Sequence, residues 1–206
     1  MTRAVMRKIA LAAALGGMAL SAPAGAQMFS DGYEFLKAVK ERDGDAVTNA
    51  LNEPGSTLIN TRDISSGETA MHIVTERRDV TWIRFLAQRG ANPNVKDKKG
   101  TAPIQLAVRL GFVEGVEALI KAGAEVDVTD VAGETPLIAA VHRRDTALIR
   151  LLLANGANPD RTDNSGRTAR DYATLAQGNR AMVEEFTRAD EERAGKGQDK
   201  DYGPSI

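Results

Sequence analysis

The stretch 131–163, VAGETPLIAAVHRRDTALIRLLLANGANPDRTD, decides the fold because it contains one complete two-helix unit. Thr135 can cap a helix through its hydroxyl, and Pro136 follows at the first helical position, where an N–H is not needed. Two short apolar stripes follow, separated by a polar turn at 143–145, and Gly156 can end the second helix in the left-handed conformation. The pattern predicts two antiparallel helices and a turn-rich connector.

This unit returns at a fixed interval along the chain. One glycine recurs every 33 residues, and a Gly-Ala pair and an aspartate keep the same step. The recurring glycines are Gly67, Gly100, Gly133 and Gly166. Three series in phase predict a solenoid of stacked supersecondary units. The predicted units are 30–63, 64–97, 98–130, 131–163 and 164–188, of which the first and last are caps.

The units resemble ankyrin repeats. The Thr-Pro-Leu-His-x-Ala signature of that family is similar to the sequence at 135–140, and to a less complete version at 69–74. The resemblance extends over residues 30 to about 188 and implies an all-α ankyrin-repeat solenoid of about five units, with a hairpin-like loop after each helix pair. It implies structural roles for the signature residues Gly67, Thr69, His72, Gly100, Pro103, Gly133, Thr135, Pro136, Gly166 and Thr168. In the family, the histidine of the signature bonds to neighbouring backbone.

The two ends of the chain differ from the repeats. A basic start, an apolar run at 9–20 and small residues at 24–26 predict a cleavable signal peptide over 1–26, in the bacterial style. The apolar run is short for a membrane anchor, which is the alternative. We therefore expect a periplasmic protein, less favourably a secreted one, with an ankyrin domain over 27–189 and a flexible tail over 190–206. A short linear motif ending at Ile206 is the alternative for the tail.

Composition excludes several function classes. Without residues 1–26 the chain has 24 basic and 28 acidic residues, so its overall charge does not favour nucleic-acid binding. The chain has no cysteine, which removes disulfides, thiol nucleophiles and thiolate ligands. We expect a monomer with no stable membrane insertion after signal cleavage.

No pattern in the sequence is typical of a catalytic or metal site. His72 belongs to the signature, and His142 has no second histidine or carboxylate four residues away. The segment 127–130 resembles part of a calcium loop but lacks the required glycine and distal glutamate. No nucleophile elbow or phosphate-binding glycine loop is present. The sequence predicts that the protein is not an enzyme and holds no cofactor.

The resemblance implies a binding surface on the connector tips and the exposed side of each first helix. The candidate residues are Glu76, Arg77, Lys98, Lys99, Arg109, Leu110, Glu134, His142 and Arg143. Arg77, Arg109 and Arg143 are expected to form a basic strip on an otherwise acidic protein. Such a strip on the concave face can dock an acidic segment of a partner protein. The alternative is a solvated polar face with no preferred partner.

Two function classes remain at this stage. The first is a periplasmic protein–protein interaction module, which acts as adaptor, scaffold or inhibitor of another exported protein. The second is a haem-, metal- or ligand-handling accessory protein for an exported enzyme, a redox enzyme being one case. Its only imidazole or soft candidate ligands are His72, His142 and Met71.

Overall fold

The computed structural model describes residues 24–176 and 180–198, and in those ranges it contains ten α-helices, one short 3₁₀ turn at Leu58–Asn60 and no strand. The helices are α1 (Ala24–Glu41), α2 (Gly44–Asn52), α3 (Ala70–Glu76), α4 (Val80–Gln88), α5 (Pro103–Leu110), α6 (Val113–Lys121), α7 (Pro136–His142), α8 (Thr146–Ala154), α9 (Ala169–Leu175) and α10 (Arg180–Gln198). They form five helix-turn-helix pairs, so the predicted all-α solenoid of about five units is confirmed.

The helices stack in two layers. The odd-numbered helices α1, α3, α5, α7 and α9 contact one another in succession and form the inner layer. Helices α4, α6, α8 and α10 do the same in the outer layer. One continuous core lies between the layers, and Ile104, Leu119, Leu137 and Leu152 are fully buried in it. Each repeat therefore completes its core only with the help of its neighbours.

The inner helices begin where the sequence places capping residues. The Thr135 hydroxyl accepts a hydrogen bond from the backbone N–H of Ile138 at 3.2 Å, and Pro136 is the first residue of α7. Ala102 has no side-chain acceptor, yet the Gln105 Oε1 accepts from the Ala102 N–H at 2.9 Å. Half of a capping box thus remains at the start of α5.

The turns inside the helix pairs share an unusual backbone conformation. Arg42, Arg78, Gly111 and Arg144 stand at equivalent positions with φ of 61°, 57°, 64° and 55°. A left-handed conformation costs a non-glycine residue about 1–2 kcal/mol. Three of the four turns therefore carry an arginine where glycine would be less strained.

The last helix is longer than the sequence suggested. The sequence predicts a tail from residue 190, with 190–193 able to extend the last helix, and α10 continues to Gln198. Two of its charged residues bind other parts of the array: Asp190 accepts two hydrogen bonds from Arg170 of α9, at 2.7 and 2.8 Å, and Arg193 donates to the Ala157 carbonyl of the preceding unit. These contacts join α10 to the array as far as residue 193. The candidate motif ending at Ile206 lies outside the described residues.

The expected signal segment falls almost entirely on residues outside the described range. Only its last three residues, 24–26, are described, and they form the start of α1. Among the described helices, none is both long and apolar enough to cross a membrane.

Candidate partner-binding groove

The exposed ends of four inner helices form one row across the stack. Glu76, Arg109, His142 and Leu175 stand 33 residues apart, at or next to the last residue of α3, α5, α7 and α9, and all four are exposed. We call these four residues the inner-helix row. Because successive inner helices pack side by side, the row runs across the repeats.

A groove opens between α5 and α7 beside the middle of this row. Its volume is about 310 Å³. It is lined by Gln105, Arg109, Asp130, Glu134, Thr135, Ala139, His142 and Arg143. Four of the nine candidate binding residues therefore meet in one place, two of them cationic.

The two arginines of the groove come from neighbouring repeats. Arg109 lies near the C-terminal end of α5, and Arg143 directly follows the last residue of α7. The Arg143 Nη1 donates to the Arg109 carbonyl at 2.7 Å, which holds the Arg143 guanidinium against the preceding repeat. A Cβ on residue 111 would collide with that guanidinium, so Gly111 leaves the space in which Arg143 lies. Within residues 31–176 and 180–195, no carboxylate oxygen lies within 4 Å of either guanidinium.

Two acids, Asp130 and Glu134, and the His142 ring also line the groove, and the Tyr172 ring lies against His142. The His142 Nε2 lies 3.9 Å from the Glu134 Oε1, and the His142 and Tyr172 ring centroids are 4.4 Å apart. The Tyr172 hydroxyl donates to the Asp163 carboxylate at 2.6 Å, which fixes the ring. Burial raises the pKa of Glu134 above its ordinary value, against the opposing effect of His142.

The structure does not bring Arg77 to this groove. Its Nη1 donates to the Val39 carbonyl, its Nε lies 3.3 Å from the Asp79 carboxylate, and its guanidinium lies 4.8 Å from the Trp82 ring centre. The side chain is only 16% exposed, and burial lowers its pKa. Arg77 shares its repeat position with Arg143, one residue after the row. The expected strip of three arginines is therefore a pair, Arg109 and Arg143.

The remaining candidate residues lie around the edges. Lys98 and Lys99 are exposed at a connector tip, where the Lys98 ammonium donates to the Ile64 carbonyl. Leu110 is half-buried, and its carbonyl accepts from the Arg78 guanidinium. Glu76 belongs to the row but lies beyond the groove. The tips themselves bond to one another, as the Lys98 N–H does to the Ser66 carbonyl at 2.9 Å.

The signature histidine has a structural environment. His72 is 1% exposed; its Nδ1 accepts from the Thr69 N–H at 3.1 Å, and its Nε2 lies 3.0 Å from the Thr101 carbonyl. Burial lowers the pKa of His72, so the neutral ring joins two repeats. Neither ring nitrogen of His72 is left to bind a metal or haem, and the candidate ligand Met71 is only 1% exposed. In the described part of the chain, no three histidine or carboxylate side chains cluster as metal ligands would.

Other signature residues fix the connectors. Gly133 has φ of 76°, and a Cβ there would lie 2.8 Å from the Asn164 backbone N, so the tips approach closely only with glycine. Thr168 and Asp171 form a capping box at the start of α9, through hydrogen bonds in both directions. Pro103 is the first residue of α5.

Sequence reasoning missed two residues beside the groove. Leu175 is 62% exposed at the end of α9, and Tyr172 lies one turn earlier on the same helix face. The signal was available, because Leu175 follows His142 by one repeat length of 33 residues. The last unit is a cap in the predicted array, and the polar residues of its second helix gave no reason to expect an exposed leucine at the end of its inner helix.

Comparison with known proteins agrees with this architecture. Two family profiles, described as ankyrin repeats in three copies and ankyrin repeats in many copies, match residues 35–130 and 119–173. The chain belongs to the ankyrin repeat family. Such repeats are generally protein–protein interaction modules and are typically not catalytic.

One curated relative is similar over a shorter stretch. It is the oxysterol-binding protein homolog 1 of Saccharomyces cerevisiae, 36% identical over 76 residues. The match spans 35% of this chain and 6% of the relative.

Proposed function

We propose that this protein is a periplasmic adaptor, scaffold or inhibitor that binds an acidic segment of another exported protein along its concave side. The observation that carries the proposal is the pair Arg109 and Arg143, exposed in one groove and lacking a carboxylate partner among the described residues. The periplasmic location rests on the expected signal peptide over residues 1–26.

The pairing of other arginines supports this reading. Arg170 binds Asp160 and Asp190, and Arg150 binds Glu185 with two hydrogen bonds. Arg109 and Arg143 keep most of their N–H donors available to a carboxylate from outside. Such charge-assisted bonds are stronger than neutral ones and give a defined geometry. The groove thus offers a site for an acidic side chain on a chain whose formal net charge is −1.

Affinity capture from a periplasmic extract of the source cell tests the proposal. The wild-type protein is compared with the double variant Arg109→Glu and Arg143→Glu, and bound proteins are identified by mass spectrometry. Arg84→Glu is the matched control, because Arg84 is exposed on the outer helix α4.

We expect one partner to be retained by the wild type and by Arg84→Glu, and to be lost from the double variant. A partner retained equally by all three chains would reject the groove as its binding site. If the wild type retained nothing, the adaptor function itself would be rejected.

A further inference from the structure

We propose that the inner-helix row recognises an extended peptide that carries one carboxylate and, six residues away, a large apolar side chain. The carboxylate binds Arg109 and Arg143, and the apolar side chain binds Leu175. This inference rests on the proposed function and names the chemistry of the partner segment.

The row changes character along its length. At α5 the groove carries two guanidiniums, those of Arg109 and Arg143, beside two carboxylates, Asp130 and Glu134. The Asp130 carboxylate already accepts hydrogen bonds from the Ala132 and Glu134 N–H groups.

At α9 the exposed apolar surface is Leu175, which is 62% exposed. Tyr172, one turn earlier, is half-buried, with the His142 ring centroid 4.4 Å and the Arg167 guanidinium 5.9 Å from its ring. An exposed leucine loses unfavourable contact with water when a partner covers it, whereas the arginines require a negative charge. A single partner segment that satisfies both ends needs both chemistries.

The separation of the two ends sets the spacing in the peptide. Helices α5, α7 and α9 are successive neighbours in the inner layer. Packed helices lie about 8–10 Å apart, so Leu175 stands about 16–20 Å from Arg109 along the row. An extended chain advances about 3.3 Å per residue, which corresponds to about five or six residues. Alternate side chains point to opposite faces, so only the even number, six, puts both on the row.

The middle of the row selects against a second acid. Glu134 lies in the groove wall, 3.9 Å from the His142 ring nitrogen, and its carboxylate is partly buried. A carboxylate midway along the peptide would meet this like charge, because His142 lies one repeat after Arg109. The preferred segment therefore has one acid at the arginine end and neutral residues up to the apolar side chain.

Synthetic peptides test this directly. The probe is an acetylated and amidated peptide with one glutamate and one leucine six residues apart in a serine-threonine background. Three comparison peptides are made: one has glutamine in place of glutamate, one has serine in place of leucine, and one has a separation of three residues. The probe and the comparison peptides are each also made with the reversed sequence. Dissociation constants are measured by NMR titration of the isotope-labelled protein, whose spectrum also reports whether each variant is folded.

The probe is expected to bind about tenfold more tightly than its glutamine analogue, since a charged hydrogen bond is lost. The serine analogue and the three-residue peptide should bind about threefold to tenfold more weakly than the probe. Arg109→Gln should remove the preference for glutamate, and Leu175→Ser should remove the preference for leucine. Arg84→Gln, on the outer helix α4, should change neither.

Two results would overturn the inference while the adaptor function stands. One is partner capture that depends on Arg109 while no peptide of the set binds. The other is a leucine preference that survives Leu175→Ser, or equal binding at three and six residues. If the wild-type protein captured no partner, both the proposed function and the inferred recognition by the inner-helix row would be rejected.

Discussion

Arg77 and Arg143 occupy the same position in two repeats and have opposite surroundings. Arg77 lies against Val39, Asp79 and Trp82, and its side chain is 16% exposed. Arg143 lies in an open groove and is exposed. Arg77, at the N-terminal end of the expected strip, is thus held by contacts within the protein. Arg143, at the C-terminal end, remains available to a partner.

The two arginines also differ in what lies around them. Arg143 lies over Gly111, the turn residue of the unit before it, in space that a side chain would fill. The equivalent turn residue before Arg77 is Arg42, whose guanidinium also lies near Asp79 at 3.8 Å. Both arginines donate to a carbonyl of the preceding inner helix, Val39 for Arg77 and Arg109 for Arg143. Only Arg77 also lies against an indole ring, that of Trp82, whose equivalent in the repeat of Arg143 is Leu148.

The largest expected effect separates the two arginines by stability. Arg77→Ala should lower the free energy of unfolding by about 2 kcal/mol, because it removes a charged hydrogen bond and a ring contact. Arg143→Ala should cost less than about 1 kcal/mol, because its bond is exposed. Urea unfolding of both variants measures this, and equal losses would contradict the distinction.

The next prediction concerns the turn that admits Arg143. Gly111→Ala should cost about 1–2 kcal/mol, because alanine is strained at φ of 64° and its Cβ displaces the guanidinium. In an Arg143→Ala background, only the backbone strain remains, so the cost should be smaller. A double-mutant cycle by urea unfolding measures the coupling. Additive losses would show that residue 111 does not control Arg143.

A smaller effect distinguishes the joints between repeats. His72 joins its repeat to the next one through the Thr101 carbonyl. Gln105 occupies the same position one repeat later, and its Nε2 donates to the Glu134 carbonyl at 3.3 Å. His72→Gln can keep both bonds, so at neutral pH it should cost less than about 1 kcal/mol.

The pH dependence of His72→Gln follows from the lowered pKa of His72. The unfolded chain takes up the proton first, so wild-type stability is complete above the ordinary pKa of 6.5 and declines as the pH falls below it. The glutamine variant should lose less stability between pH 7 and pH 5. Thermal unfolding at the two pH values compares the chains; parallel losses would show that His72 does not contribute.

The smallest effect concerns Glu134. Glu134→Gln removes a negative charge from the groove wall and should strengthen capture of an acidic partner about threefold, with little change in stability. A binding titration with the captured partner measures this. Weaker binding would mean that Glu134 contacts a basic group of the partner instead.

The fold was predictable because the 33-residue step fixes the unit, its caps and its stacking at once. The grouping of Arg109, Glu134, His142 and Arg143 followed from the same step. The position of Arg77 did not, since the repeat step places it level with Arg143 and does not reveal its contacts with Asp79 and Trp82. The pairing of Arg170 with Asp190 on α10 was not predictable either, because it spans 20 residues that no periodic pattern connects.

One measurement tests most directly whether the partner binds at the groove and not at the Arg77 end of the array. Charge is reversed separately at two exposed positions of the inner-helix row, Glu76→Arg next to Arg77 and Arg109→Glu in the groove, and partner capture from the extract is quantified. We predict at least about tenfold loss for Arg109→Glu, equal to about 1.4 kcal/mol, and no loss for Glu76→Arg. Equal losses for both variants, or a loss confined to Glu76→Arg, would contradict the account.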